Sequence, residues 1–182
     1  MSTIIKEQIP TGTWQVDPTH SQVGFAVPYL VGTFRGTFSP VEATLTAAEN
    51  GSVELAGTAP VEGIKVQDEN LQTHLLSPDF FDAERAPKIE FKANGIERTG
   101  DDVKVDGELT IKGITRPVEL TGSITDTIAD AYGNDRIGLT LETTVDRTQF
   151  DLNWNTPLPS GEQALGNDVT LTAELYFVKA QA

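Results

Sequence analysis

Two histidines, His20 and His74, are the side chains of this sequence best suited to acid–base or metal chemistry, since the chain has no cysteine. They lie far apart and show neither the HxH nor the HxxxH spacing of histidine pairs that hold zinc. Ser21 follows His20 directly, and adjacent side chains of a strand point to opposite faces, so the two cannot act as nucleophile and base. We also find no GxSxG elbow, GxGxxG loop or Walker loop. The sequence therefore predicts no catalytic residue, no metal site and no cofactor, with a histidine-dependent barrel hydrolase as an alternative.

The charge of the chain limits its partners. It has 27 Asp and Glu residues against 13 Lys and Arg, a formal net charge of −14. Nucleic-acid phosphates and anionic lipid surfaces repel such a chain, so we expect no nucleic-acid partner. The longest apolar run, from Phe25 to Val31, contains a proline and is far shorter than the roughly 20 residues of a membrane helix. We expect no membrane insertion, and the lack of a signal-peptide pattern in the first residues predicts a cytoplasmic protein.

The hydrophobic side chains are the remaining candidates for a function. If the aromatic side chains converge, they form either an ordinary core or the wall of a cavity for a long hydrophobic ligand, and composition does not decide between the two. These side chains are Phe25, Phe34, Phe38, Phe80, Phe81, Phe91, Phe150 and Trp154.

Most of the chain alternates apolar and polar residues in short runs, which is typical of half-buried strands. Early strands are predicted over 12–16, 21–27 (ended or bent by Pro28), 33–38, 41–47, 53–59 and 61–66, and later ones place Leu109, Ile111, Leu139 and Leu141 on inward faces. Asn50-Gly51 predicts a hairpin turn, as do 99–102 and 132–135, while Asn94-Gly95 is expected to close a strand. With so little helix, the sheet must form two layers or close on itself, and consecutive long hairpins favour an eight-stranded barrel over a sandwich.

The segment from Asn70 to Phe91 breaks this alternation. Leu71, His74 and Leu75 follow helical spacing, and Asp68 is placed to cap the helix. Phe80 and Phe81 are adjacent, so a strand could not bury both on one face. We predict a short helical lid over the end of the strands, with an apolar underside of Leu71, Leu75, Phe80 and Phe81, anchored by His74 and Asp82.

Four blocks of sequence, in order, resemble the YceI-like family over nearly the whole span from Trp14 to Val178. They are WQVDPTHSQVGFAVPYLVGTFRGTF, HLLSPDFFDAERAPKIEF, VDGELTIKGITRPVEL, and RIGLTLETTVDRTQFDLNW with GNDVTLTAEL. The chain departs from the family pattern at two places. Leu71-Gln72 stands where many members have Arg-Asp, and Pro28-Tyr29 where many have Lys-His.

The resemblance implies an all-β, closed antiparallel eight-stranded lipocalin-like barrel with one or two short helical insertions. It also implies a binding or carrier protein, with no established catalysis, that holds a polyisoprenoid or related long-chain amphiphile in its lumen. The family motif residues carried by this chain include Asp17, His20, Gly36, Asp82, Gly107 and Arg136. We expect residues 1–11 to be a loose lead-in and residues 12–182 to form one barrel domain.

We therefore predict a hydrophobic small-molecule partner, isoprenoid or fatty-acid-like, and leave a homodimer open. Arg147 is expected to meet a polar head group or to form a buried ion pair with Asp17 or Asp82. An acidic protein-interaction module with a solid core is the alternative from another functional class. The predicted ligand-binding residues are Phe25, Val27, Phe34, Phe38, Leu71, Leu75, Phe80, Phe81, Phe91, Leu109, Ile111, Leu139, Leu141, Arg147, Phe150 and Trp154.

Overall fold

The computed structural model describes residues 8–180, which form twelve β-strands and one α-helix. The helix, α1, is Glu69–Leu76. The strands are β1 Gly12–Val16, β2 Gln22–Tyr29, β3 Gly32–Phe38, β4 Glu42–Ala47, β5 Val53–Pro60, β6 Ile64–Lys65, β7 Lys88–Thr99, β8 Asp102–Ile111, β9 Ile114–Ile124, β10 Ile128–Ala129, β11 Asp135–Asp146 and β12 Asp168–Lys179.

Eight of the strands close into an antiparallel barrel. Around the barrel their order is β11, β9, β8, β7, β5, β4, β1 and β12, and β12 then pairs with β11. The closing pair runs without interruption from Arg136 opposite Val178 to Asp146 opposite Asp168. The predicted all-β closed barrel of eight antiparallel strands is thus confirmed.

Two strands, β1 and β2, pair with the same edge of β12 at different positions along it, and these positions mark the two ends of the barrel. β1 pairs with β12 around Phe177, whereas β2 pairs with β12 farther back, between Thr170 and Glu174. β2 continues into β3 and β6, while β1 continues the barrel through β4. The β2–β3 hairpin therefore leaves the barrel at one end.

The buried side chains fall into two clusters that correspond to these ends. The closed-end cluster is built around Trp14, Leu45, Val105, Ile124 and Phe177. The open-end cluster joins strand residues to α1 and to irregular segments, and includes Phe38, Ile64, Leu75, Phe81 and Phe150. The open end is the part of the barrel that α1 covers.

The predicted turns are mostly confirmed, and three strand boundaries differ. Asn94-Gly95 does not end β7, because Asn94 is an extra residue between Ala93 opposite Gly107 and Gly95 opposite Asp106, a β-bulge. Residues 61–63 form a 3-10 turn before the two-residue β6. Pro28 stays within β2, because β12 pairs with β2 only up to Ala26 and no donor is required of the proline.

The predicted loose lead-in lies partly outside the described residues, since 1–7 are not described. Of the rest, Ile9 is buried in the closed-end cluster, and the Trp14 indole Nε1–H donates to the Pro10 carbonyl at 3.0 Å. Ile9 and Pro10 therefore contact the closed end of the barrel, whereas Gln8 and Thr11 are exposed.

Candidate functional site

A cavity of about 310 Å³ lies inside the barrel. Leu55, Leu141 and Leu175 of the closed-end cluster form its floor, and Leu71, Leu75, Phe80 and Phe81 form its roof. Nearly all of the wall is aliphatic or aromatic. Such a wall binds hydrocarbon and gives little hold to a polar substrate.

Fifteen of the sixteen predicted ligand-binding residues lie on the cavity wall. The exception is Leu139, which is buried in the closed-end cluster below the floor. The fifteen are Phe25, Val27, Phe34, Phe38, Leu71, Leu75, Phe80, Phe81, Phe91, Leu109, Ile111, Leu141, Arg147, Phe150 and Trp154.

Other wall residues were not singled out from the sequence. Those on strands, such as Val118, Leu120, Val169, Leu171 and Ala173, follow the same alternation as the predicted ones and could have been included on that signal. Leu152 and Leu165 come from an irregular segment, which has no periodicity to indicate which side chains turn inward.

Two glycines allow wall aromatics to lie close against neighbouring strands. Gly36 of β3 is opposite Phe25, and a Cβ at Gly36 would meet the Phe25 ring at 2.5 Å. A Cβ at Gly107 of β8 would meet the Phe91 ring at 2.6 Å. Each ring thus packs over a glycine.

The roof is positioned by local hydrogen bonds around α1. The Asp68 side chain accepts from the Leu71 backbone N–H at 3.0 Å and caps the helix, as predicted. After Ser77 the chain reverses, with the Phe81 N–H donating to the Leu75 carbonyl and Asp82 at φ 52°. This reversal explains how two adjacent phenylalanines are both buried.

Lys112 ties the roof to the rest of the open end. Its ammonium group donates to the carbonyls of Pro78 and Asp151, each at 2.9 Å. The β8–β9 turn that carries Lys112 thereby holds the segment after α1 and the 3-10 turn Arg147–Phe150 in fixed relative positions.

His74 lies on the cavity wall, in contact with two aromatic rings. Its imidazole packs edge-on against Phe80 and Trp154, at centroid distances of 5.0 and 5.1 Å. Its Nε2 hydrogen-bonds the Asp79 carboxylate at 3.1 Å. The predicted anchoring of the lid by His74 is thus seen in these contacts, whereas Asp82 is paired only distantly, 3.9 Å from the exposed Arg85.

Arg147 is the cationic side chain of the cavity wall, and it is buried. Its Nε donates to the Gly166 carbonyl at 2.8 Å, and Nη1 donates to the carbonyls of Leu152 and Trp154 at 2.6 and 2.9 Å. Nη2 lies 3.5 Å from the Leu165 carbonyl. Burial lowers the pKa of Arg147 from its usual value, while the nearby Asp146 charge opposes that shift.

The predicted ion pair of Arg147 with Asp17 or Asp82 is wrong. Within residues 8–180 Arg147 forms no salt bridge, because backbone carbonyls surround its guanidinium. Asp17 instead contacts His20 at 2.7 Å and Arg136 at 3.1 Å, and Arg136 also pairs with Asp130 at 2.7 Å. The positively charged Arg147 therefore lies in the cavity wall, and no carboxylate within residues 8–180 is in contact with it.

The ion network around Arg136 lowers two carboxylate pKa values. Hydrogen bonds from His20, then from Arg136, hold the pKa of Asp17 at about 2. Those from Arg136 and the Asn134 backbone hold the pKa of Asp130 at about 2. The network joins β11 and the β10–β11 turn to the β1–β2 connection. None of these residues lines the cavity.

The family model of the YceI-like domain matches residues 14–177. The chain belongs to the YceI-like family. A UPF0312 protein of Staphylococcus aureus (strain USA300) is 30% identical over 168 residues, which cover 88% of this chain and 94% of the relative.

Solved structures of the YceI-like barrel share the fold at lower identity. BcnA of Burkholderia cenocepacia superimposes with a TM-score of 0.76 at 20% identity, covering 88% of this chain and 98% of BcnA. The YceI protein of Campylobacter jejuni gives 0.71 at 20% identity, covering 83% and 88% of the two chains. A polyisoprenoid binding domain from Saccharophagus degradans gives 0.65 at 11% identity, covering 92% and 98%.

Residues 8–180 contain neither a metal-binding cluster nor a helix that could span a membrane. No group of three or more His, Asp or Glu side chains is placed to hold a metal ion. None of the helices in that range has the length and apolar character needed to span a bilayer.

Proposed function

We propose that this YceI-like protein binds a polyisoprenoid or other long-chain amphiphilic lipid in the barrel cavity and acts as its carrier. The observation that carries the proposal is the apolar cavity of about 310 Å³ beneath α1. Family membership supports it, as does the fold shared with the Saccharophagus degradans domain described as polyisoprenoid binding. The alternative, an acidic interaction module, assumed a solid core. A barrel with this cavity does not have one.

Removal of hydrocarbon from water supplies the affinity. Apolar surface contributes roughly 25 cal/mol per Å² that leaves water. Ligand cavities commonly measure about 300 to 1,000 Å³, so this one is at the small end. The cavity accordingly suits a short isoprenoid or one segment of a long one.

The polar groups of the wall indicate how the ligand lies. Arg147 donates to the Trp154 carbonyl, and the His74 ring packs against the Trp154 indole, so both surround one residue at the open end. The floor, around Leu55 and Leu175, is apolar. We therefore place a hydrogen-bond-accepting or anionic head group near Trp154 and the hydrocarbon tail toward the floor.

Binding is proposed in preference to catalysis. His20 lies away from the cavity, with a side chain that is 63% exposed, and His74 is held between two aromatic rings. Hydrolysis requires a polarised nucleophile next to a base. The aromatic rings that surround His74 do not supply one. The cytoplasmic location, the oligomeric state and the domain bounds stay predictions from the sequence.

A cavity-filling substitution tests the proposal. Ala173 lies on the wall between Leu171 and Leu175, so Ala173→Phe should place a ring in the lumen. We expect the wild type to bind a fluorescent fatty acid with one site per chain, and the variant to bind at least tenfold more weakly. Thr144→Phe, on the exposed face of β11, is the matched control and should bind as the wild type does.

The same titration can contradict the proposal. Both variants must first show the circular dichroism and cooperative unfolding of the wild type. If folded Ala173→Phe then binds the probe as tightly as Thr144→Phe, the ligand lies outside the barrel. If the wild type binds neither fatty acid nor isoprenoid alcohol, the carrier function fails.

A further inference from the structure

The tip of the β2–β3 hairpin exposes apolar side chains to solvent. Tyr29 is 41% exposed, Leu30 55% and Val31 fully exposed. Exposed apolar residues that occur singly need no explanation, but three in succession at a projecting tip indicate a contact surface.

The residues of this turn are not those that a two-residue turn prefers. Leu30 has φ 49°, a left-handed conformation that is unfavourable for a bulky residue and that Asn or Gly adopts readily. The other non-glycine residues at positive φ within residues 8–180 are Asp82, Lys112 and Asp151, all of them polar, so Leu30 is the apolar exception. Leu30 and Val31 therefore stabilise neither the turn nor the core. What they provide is an apolar surface exposed to solvent.

The tip is continuous with the cavity. Tyr29 lines the cavity and is exposed as well, so the wall reaches the protein surface there. Tyr29 forms a β-bridge with Leu165, another wall residue, and the Leu30 N–H donates to the Ala164 carbonyl at 3.0 Å. These bonds fix the tip beside the opening.

The segments that form and adjoin the tip carry few charges, although the chain as a whole is strongly acidic; among the nearest along the chain are Arg35 and Glu162. Residues 22–34 contain no Asp, Glu, Lys or Arg, and neither do residues 152–161. The second segment pairs with residues 162–165, and Leu165 of that stretch bridges to Tyr29, so the segment adjoins the tip. It adds the apolar residues Pro157, Leu158 and Pro159. A formal net charge of −14 elsewhere would oppose an anionic surface but not a neutral one.

We propose that the tip, Tyr29 to Val31, inserts shallowly into a zwitterionic lipid bilayer, so that the ligand passes between the bilayer and the cavity without crossing water. This inference rests on the proposed function, because it concerns the source of the same lipid. A stable protein interface buries about 800 Å² per partner, more than two projecting side chains supply. Two or three apolar side chains do suffice for weak, reversible contact with a bilayer, with tyrosine at the headgroup level. This proposal departs from the expectation of no membrane insertion, which rested on the net charge and on the lack of an apolar run long enough for a membrane helix.

The test replaces the tip by a turn of better backbone chemistry. Leu30→Asn puts a residue that readily adopts the left-handed conformation at φ 49°, and glycine in Val31→Gly adopts any φ, so the variant should fold. Tyr132→Ser is the control, because Tyr132 is 90% exposed at the tip of the β10–β11 hairpin, away from the cavity. Each protein is measured for flotation with phosphatidylcholine vesicles, and for the rate at which it takes a fluorescent fatty acid from them.

For the wild type and Tyr132→Ser we expect flotation with the vesicles and an uptake rate that rises with vesicle concentration. For the tip variant we expect at least a tenfold slower uptake, independent of vesicle concentration, with unchanged affinity for the same fatty acid added from solution. Replacing part of the phosphatidylcholine by phosphatidylglycerol should weaken flotation.

Equal flotation and equal uptake by the tip variant would overturn the inference. So would a wild-type dimer that the tip variant converts to monomer, since the tip would then bind a second copy. If no protein binds the fatty acid from solution, the proposed function fails by itself. In that case, a comparison of vesicle flotation between the wild type and the tip variant still tests whether the tip binds the bilayer.

Discussion

Arg147 is a charged residue buried at the open end of the barrel. It is 4% exposed, and its partners are carbonyls of the segment from Leu152 to Gly166. A guanidinium suits this position because its N–H groups form a rigid fork that several carbonyls can share. It thus orders a stretch of chain that has almost no regular structure and that carries the wall residues Leu152, Trp154 and Leu165.

We predict that Arg147→Met lowers the free energy of unfolding by about 3 kcal/mol or more, because buried carbonyls that lose a donor cost roughly 1–3 kcal/mol each. Urea unfolding measures the change. Arg116→Met is the control, since exposed Arg116 donates to a single carbonyl, that of Gln149, at 3.0 Å. A loss from Arg147→Met no larger than that of the control would show that the carbonyl contacts contribute little.

The ion network around Arg136 predicts a specific acid dependence. Asp17 and Asp130 have folded-state pKa values of about 2, against an ordinary value of 3.8. A lowered carboxyl pKa contributes stability above pH 4 that is lost as the pH falls toward 2. In Arg136→Gln this contribution should shrink, so stability should fall less steeply between pH 4 and pH 2 than in the wild type. Parallel stability curves for the two proteins over this range would contradict the assignment.

Among the structural elements, α1 is predicted from the sequence more fully than the segments around it. Its cap, its helical spacing and its apolar underside are local features, which a sequence states directly. The bulge at Asn94 could not be foreseen, because Asn-Gly is equally a turn signal and the register of β7 with β8 decides. Leu152 is held by Arg147, and Leu165 by the Asn155 side chain, which bonds both of its backbone groups. No local pattern encodes these contacts.

Asp68 caps the lid helix α1. Asp68→Ala removes the hydrogen bond to the Leu71 N–H, and loss of such a cap costs about 1 kcal/mol. Because an eight-residue helix is marginal on its own, we expect faster dissociation of bound fatty acid in stopped-flow measurements. Glu69→Ala, in the same first turn but not the cap, should dissociate at the wild-type rate. Equal rates for Asp68→Ala and Glu69→Ala would mean that the lid does not govern exit.

For the whole molecule, alternation identified the strands but not their closure. Closure requires β12 to pair with β11 on one side and with β1 on the other. β1 and β12 lie at opposite ends of the chain, and local pattern carries no information on such a pair. The four sequence blocks that resemble the YceI-like family supplied what alternation lacked. Even so, Leu139 and Leu141 alternate identically, and the position of the cavity floor between them is a property of the packed barrel.

The cavity also predicts a limit on ligand length. Each added methylene that enters the lumen contributes about 0.8 kcal/mol, roughly a fourfold gain in affinity. In a series of saturated fatty acids we expect this gain to continue until the lumen is full and then to stop. Salt should leave the affinities nearly unchanged, since burial of hydrocarbon is not screened. Affinity that depends steeply on salt and not on chain length would favour the acidic interaction module.

The most direct test of the central claim is native mass spectrometry of the protein purified without detergent from its own host, followed by organic extraction. A lipid in the lumen predicts a species heavier than the bare chain by one long-chain amphiphile, which the extract then contains and which Ala173→Phe does not retain. A wild-type protein that carries no lipid from the host, and that takes up neither fatty acids nor isoprenoid alcohols afterwards, would contradict it.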